Sequence, residues 1–106
     1  MIKVVMDVSS REDANANQLI VGYELNGHAD SDEYGKDIVC ASATALALAA
    51  INTITDVCGI KDLDSCEAKS GHIQLRINYE RLTEREKHDS QVVLRGFEIN
   101  IESLVR

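Results

Sequence analysis

The sequence predicts an α+β domain of two layers: an antiparallel sheet of two hairpins packed with two helices, in the order strand, strand, helix, strand, strand, helix. Three observations predict it. Apolar residues alternate along residues 1–8 and 18–25, and again around a Ser70-Gly71 turn. A stretch without charge, residues 38–55, has the length and composition of a helix. Close to the C-terminus, Val93, Phe97, Ile101 and Leu104 recur at helical spacing.

Each element has a local reason. Ile2, Val4, Met6 and Val8 share one face of the first strand. Residues 9–17 carry Ser, Asp, Asn and charge, the composition of a turn or loop. Leu19, Val21, Tyr23 and Leu25 share one face of the second strand, which pairs with the first as a hairpin. Residues 26–36 hold two glycines and clustered acids, and read as a second loop. The long helix is expected from Asp37, whose carboxylate suits a cap on the first unpaired amides, to about Cys58. Gly59 then stops it, because glycine accepts left-handed backbone without steric cost. Residues 65–69 and 72–79 form the second hairpin, with Ile73, Leu75, Ile77 and Tyr79 inward. The last helix starts at Asp89 or at Thr83, where Thr83 and Glu86 have capping-box spacing. Gly96 costs that helix roughly 1 kcal/mol relative to alanine.

The 106 residues suit a single domain, and there is no internal linker, repeat or low-complexity tract. Eleven basic residues against eighteen acidic ones give a net charge of -7. That balance argues against direct nucleic-acid binding through phosphate contacts and for a neutral or cationic partner. Trp is absent and Phe97 is the single Phe, so an aromatic platform for stacking bases is excluded. Cys40, Cys58 and Cys66 are an odd, widely spaced set, neither a disulfide framework nor a zinc pattern. No signal peptide is read at the N-terminus, and the chain is expected to be cytoplasmic, with reduced thiols. Residues 38–55 approach the length of a membrane span, but Ser42, Thr44, Asn52, Thr53 and Thr55 interrupt them and acids flank both ends. The reading is a buried helix of a soluble protein, with no membrane partner.

The informative chemistry lies in residues 27–46. His28 follows a strand in a glycine-containing loop, and Cys40 is expected in the first turn of the long helix. A helix N-terminus carries partial positive charge and unpaired amides, which favour a thiolate. A neighbouring imidazole can take the thiol proton and return it to a leaving amine, and free amides can hold an oxyanion. The bland alternatives are a small core cysteine and a solvated histidine.

Gly27-His28-Ala29, then Gly35, then Asp37-Ile38-Val39-Cys40-Ala41 and Ala45-Leu46, resemble the signature of the ribosomal-processing cysteine proteases of the Prp family. The motif joins several fixed residue types in two separated blocks, and the likeness extends loosely over the whole chain. The resemblance implies a cysteine endopeptidase without a cofactor or metal. Its substrate would be the precursor of a large-subunit ribosomal protein, trimmed of an N-terminal extension during bacterial ribosome assembly. It implies a small α+β fold, often a homodimer. By the same resemblance Cys40 is the nucleophile and His28 the general base and acid. Gly27 would turn the backbone beside His28, and Asp37 takes the family's Asp position. Thr44 stands where the family has Ser, keeping a hydroxyl and adding a methyl.

Asp37 has two competing roles, a third catalytic member or the helix cap. Asp30, Asp32 and Glu33 precede it in a loop with one base, Lys36. That loop is either a solvated segment or a flap attracting a basic peptide, such as a ribosomal-protein precursor. Cys58 and Cys66 are expected as core thiols; a metal shared with His72 is the weaker reading. His88 lies in a charged stretch and is expected to be solvated. The reading opposed to an enzyme is a non-catalytic, ribosome-associated binding module with the same fold.

Overall fold

In the computed structural model, residues 2–13, 15–27, 34–69 and 71–105 are described, of residues 34–37 and 105 the backbone alone. The elements run β1 (Lys3–Glu12), β2 (Gln18–Asn26), α1 (Tyr34–Asn52), β3 (Leu63–Lys69), β4 (His72–Ile77) and α2 (Glu84–Val105). The four strands form one antiparallel sheet in the order β1-β2-β4-β3, and both helices pack on one face of it. The expected α+β architecture is the observed one.

The apolar alternation decides which face is covered. Tyr23 and Leu25 of β2 and Ile73, Leu75 and Ile77 of β4 are buried beneath the helices, with Val4 and Met6 packed at their edge. The opposite face is polar, carrying Glu24, Asn26, His72 and Gln74. On α1 the buried positions are Cys40, Ala43, Ala47, Ala50 and Ile51, and Ile54 just beyond its end continues the stripe, with steps of three and four. On α2 they include Leu94, Phe97 and Ile101. The Ala side chains let α1 lie close to the sheet. Of the apolar window at residues 38–57 only 33% is buried, so α1 packs one stripe and leaves the rest open. That stripe seats it as a core helix, though less of it is covered than a fully buried helix requires.

Several boundaries differ from the sequence reading. β1 extends to Glu12, through residues expected to be loop. The β1–β2 ladder slips one residue, with Asp7 opposite Gly22 but Val8 opposite Ile20. Val21 is the extra residue, and past this bulge Ile20 takes the inward position. Val8 lies opposite Ile20 on the expected face, but on the edge strand β1 it is 50% exposed. Gly22 is dictated by closeness: a Cβ there would lie 2.1 Å from the Leu75 carbonyl oxygen of β4.

The α-helical part of α1 ends at Asn52, short of Cys58, and one π-helical turn, Thr53–Val57, follows. Its last bond, from the Cys58 amide to the Thr53 carbonyl at 2.9 Å, spans five residues. Thr53 and Thr55 bond back to the Ala49 and Ile51 carbonyls at 2.7 and 3.0 Å, a competition that loosens helical ladders. Gly59 adopts φ 69° just beyond, as a helix stop requires. The Thr83–Glu86 capping box is present, with reciprocal bonds of 2.9 and 3.2 Å opening α2.

One side chain ties the layers together. Tyr23 is fully buried, and its ring stacks on Phe97 with centroids 4.2 Å apart. Its hydroxyl donates to the Ala47 carbonyl of α1 at 2.6 Å. Burial pushes the phenol up, helped by Cys66 and partly offset by the Ile51 amide.

Candidate active site

The candidate site lies at the sheet end where β2 finishes and β4 begins. Asn26 is opposite His72 in the ladder, and one residue on, the Gly27 amide donates to the Gly71 carbonyl at 3.0 Å. Gly27 has φ 137°, a backbone region that disfavours any side chain. His28, Asp30, Asp32 and Glu33 lie outside the described residues.

Cys40 lies on the next helix, α1. The Tyr23–Ala47 bond fixes one point where β2 and α1 meet. From Tyr23 to Gly27 is about 13 Å along a strand, at about 3.3 Å per residue. From Ala47 back to Cys40 is about 10 Å along a helix, at about 1.5 Å per residue. Cys40 is the first buried residue of α1, two turns before the Ala47 carbonyl that holds Tyr23.

The geometry corrects two expectations. Since α1 begins at Tyr34, Asp37 lies within its first turn rather than at the cap. Cys40 is the seventh residue and lies in the second turn, not the first. The helix-end charge falls off within one turn, so less of it reaches the sulfur than an N-terminal cysteine would receive. Cys40 is also only 3% exposed. The Thr44 hydroxyl donates to the Cys40 carbonyl at 2.9 Å, so it serves the helix backbone.

Beside Gly27, on the sheet face away from the helices, is a polar chain that the sequence did not disclose. Asn26 Nδ2 donates to Glu24 Oε1 at 2.6 Å, and Asn26 Oδ1 meets His72 Nδ1 at 2.6 Å. Because Leu25 and Ile73 face the helices, Asn26 and His72 face the other way. His72 therefore lies on the wrong side of the sheet to take a proton from Cys40.

Of the other two cysteines, Cys58 packs against the core, where burial and then Asp89 push its thiol up, with Arg85 opposing. Cys66 is exposed, contrary to its expected core position, because β3 is an edge strand. His88 is exposed as expected, beside Asp89 at 3.5 Å. Among the described residues no group of three or more His, Cys, Asp or Glu is arranged to hold a metal.

Comparison with known proteins bears on this arrangement. The family model for the cysteine protease Prp matches residues 1–106, the whole chain. The ribosomal processing cysteine protease Prp of Bacillus subtilis (strain 168) is 28% identical over 87 residues, covering 82% of this chain and 77% of that protein. Its namesake from Staphylococcus aureus (strain Mu50) is 23% identical over 101 residues, covering 95% and 87%. Among solved structures, SMU.848 from Streptococcus mutans superposes with a TM-score of 0.69 at 26% identity, covering 98% of this chain and 83% of that one. The ribosomal processing protease Prp from S. aureus, in complex with a substrate peptide, gives 0.65 at 21% identity, covering 96% and 88%. The Gly-His-Ala and Asp-Ile-Val-Cys-Ala blocks, the ββαββα fold and a match over every residue agree: the chain belongs to the cysteine protease Prp family.

Proposed function

We propose that this chain is a cysteine endopeptidase that removes the N-terminal extension of a large-subunit ribosomal protein in the bacterial cytoplasm. Cys40 is the nucleophile and His28 the general base and acid. His28 takes the Cys40 proton as the sulfur attacks the scissile carbonyl carbon. The oxyanion of the tetrahedral intermediate collapses, the C–N bond breaks, and His28 returns the proton to the departing amine. Water, deprotonated by His28, then cleaves the thioester and releases the acid and the thiol. Gly27 supplies the turn before His28, Thr44 steadies the helix backbone at Cys40, and Asp37 adds a carboxylate in the first helical turn. Asp30, Asp32 and Glu33 attract a basic peptide, and the net charge of -7 favours the same class of partner.

The observation that carries this reading is that Cys40 is the first buried residue of α1, the helix that follows β2 and the segment holding residue 28. The S. aureus protease, solved with a substrate peptide and with a covalently linked product peptide, supplies the substrate class. The chain acts as a homodimer. Ile38, Leu48, Val92 and Ile99 are exposed apolar residues of α1 and α2, and residues 38–55 bear no charge. Two copies with strong like charge meet at least cost through such a face. Leu48→Glu should then shift the light-scattering mass to that of a monomer.

The test of the activity is a peptide of apolar and aromatic residues followed by a Lys-rich start, incubated with the protein and read by mass spectrometry. Cleavage at one bond is expected, lost in both Cys40→Ala and His28→Ala. Cleavage persisting in Cys40→Ala would falsify the assignment. The second reading, a non-catalytic ribosome-associated module, is favoured by the burial of Cys40 and its second-turn position. It requires Cys40 to alkylate as an ordinary thiol, with a midpoint near about 8.5 and no dependence on His28.

A further inference from the structure

We propose that Glu24, Asn26 and His72 form a positioning clamp that sets the exit of the chain toward the catalytic histidine; this rests on His28 being the base. The hydrogen bonds have a fixed sense. An ionised carboxylate only accepts, so Glu24 Oε1 fixes the Asn26 amide with its NH2 toward β2. Asn26 Oδ1 then faces His72, and His72 Nδ1 must be the donor across the 2.6 Å contact.

The place of the clamp gives it a task. Asn26 is the last residue of β2 and His72 the first of β4, and strand ends fray unless held. The clamp joins those ends on the face away from the helices, and the Gly27–Gly71 backbone bond closes the next step. Residue 28 follows immediately. Two consecutive restraints thus fix the direction in which the backbone leaves the sheet. The charged groups around the clamp are Glu24 itself, Glu67 and Lys69 of β3, and Lys3 of β1 opposite Asn26. Lys69 is bound to Glu67 at 3.0 Å.

The experiment compares His72→Val, which removes the donor, with His72→Gln, which retains one, in the full chain. Iodoacetamide alkylation of Cys40 is followed by mass spectrometry across pH, alongside thermal unfolding. His72→Val should slow alkylation at neutral pH about tenfold and move its midpoint toward that of an ordinary thiol, the cost of a misplaced base. His72→Gln should stay within about twofold of wild type and melt with it, whereas His72→Val should lower Tm by roughly 4–8 °C at most, the cost of one hydrogen bond. A wild-type alkylation profile in His72→Val, or equal losses in the Val and Gln variants, would overturn the clamp. His28→Ala separates the two ideas. If it flattens the profile while His72→Val leaves it intact, the base assignment stands and the clamp alone fails. If it changes nothing, the assignment of His28 fails and takes the clamp with it.

Discussion

Replacing Tyr23 with Phe removes one oxygen and tests how the helix layer is registered on the sheet. The ring keeps its stacking on Phe97, so the change isolates the 2.6 Å bond to the Ala47 carbonyl. Ala47 lies inside α1, so its carbonyl keeps a helical partner and is not left as an orphan. The expected cost is therefore that of one buried hydrogen bond, about 1 kcal/mol, and not the larger penalty of an unsatisfied acceptor. For a domain near this size, about 1 kcal/mol corresponds to roughly 4–8 °C in Tm. Tyr23→Leu also loses the aromatic pair, a further cost of about 0.5–1.5 kcal/mol. Circular dichroism melts of the three proteins give the order wild type, Phe, Leu. Peptide cleavage by the Phe variant should fall as well, because the bond sets where α1, and Cys40 two turns away, stands over β2. A Phe variant that melts with wild type and cleaves at the same rate would refute the reasoning.

Three other outcomes are expected. Gly22→Ala should abolish folding or lower Tm by well over 10 °C, since the new Cβ meets the Leu75 and Arg76 backbone at 2.1 to 3.1 Å and nothing flexible can yield; a normal melt would contradict the close β2–β4 approach. At pH 8, Cys66 should alkylate faster than Cys58, because Cys66 is exposed while Cys58 is packed with its thiol pushed up; peptide mapping measures both. Stability should decline in alkaline solution. Cys58 and Tyr23 titrate higher in the fold than their ordinary values of 9.0 and 10.0, so the unfolded chain loses its protons first. Urea midpoints should be flat below about pH 9 and fall as pH rises beyond it, whereas a midpoint that rises there would reverse the sign.

What the sequence disclosed was local. The Thr83–Glu86 box, the Val93–Phe97–Ile101 stripe and the Gly59 stop each depend on residues within a few positions, and each is in place. The start of α1 was not, because Asp37 is equally suited to a cap and to the first turn, where a carboxylate also meets the helix dipole. The bulge at Val21 escaped because strict alternation assumes that no residue is extra; Leu19 is buried and Val21 packs against the core as expected, but Ile20 between them is buried too. Cys66 looked like a core residue because its alternation is right, and only the strand order puts β3 at an edge. The Asn26–His72 contact joins residues 46 apart, so it needed the register of two hairpins at once.

The order of the strands has a further consequence. β2 and β4 are the interior pair, flanked on both sides, and they are the strands whose ends carry Gly27 and Gly71. Amide protons along them should be the last to exchange with deuterium, while β1 and β3 open first. The segment entering the candidate site is thus rooted in the most durable part of the molecule, and breathing at the rims can proceed without disturbing its foundation.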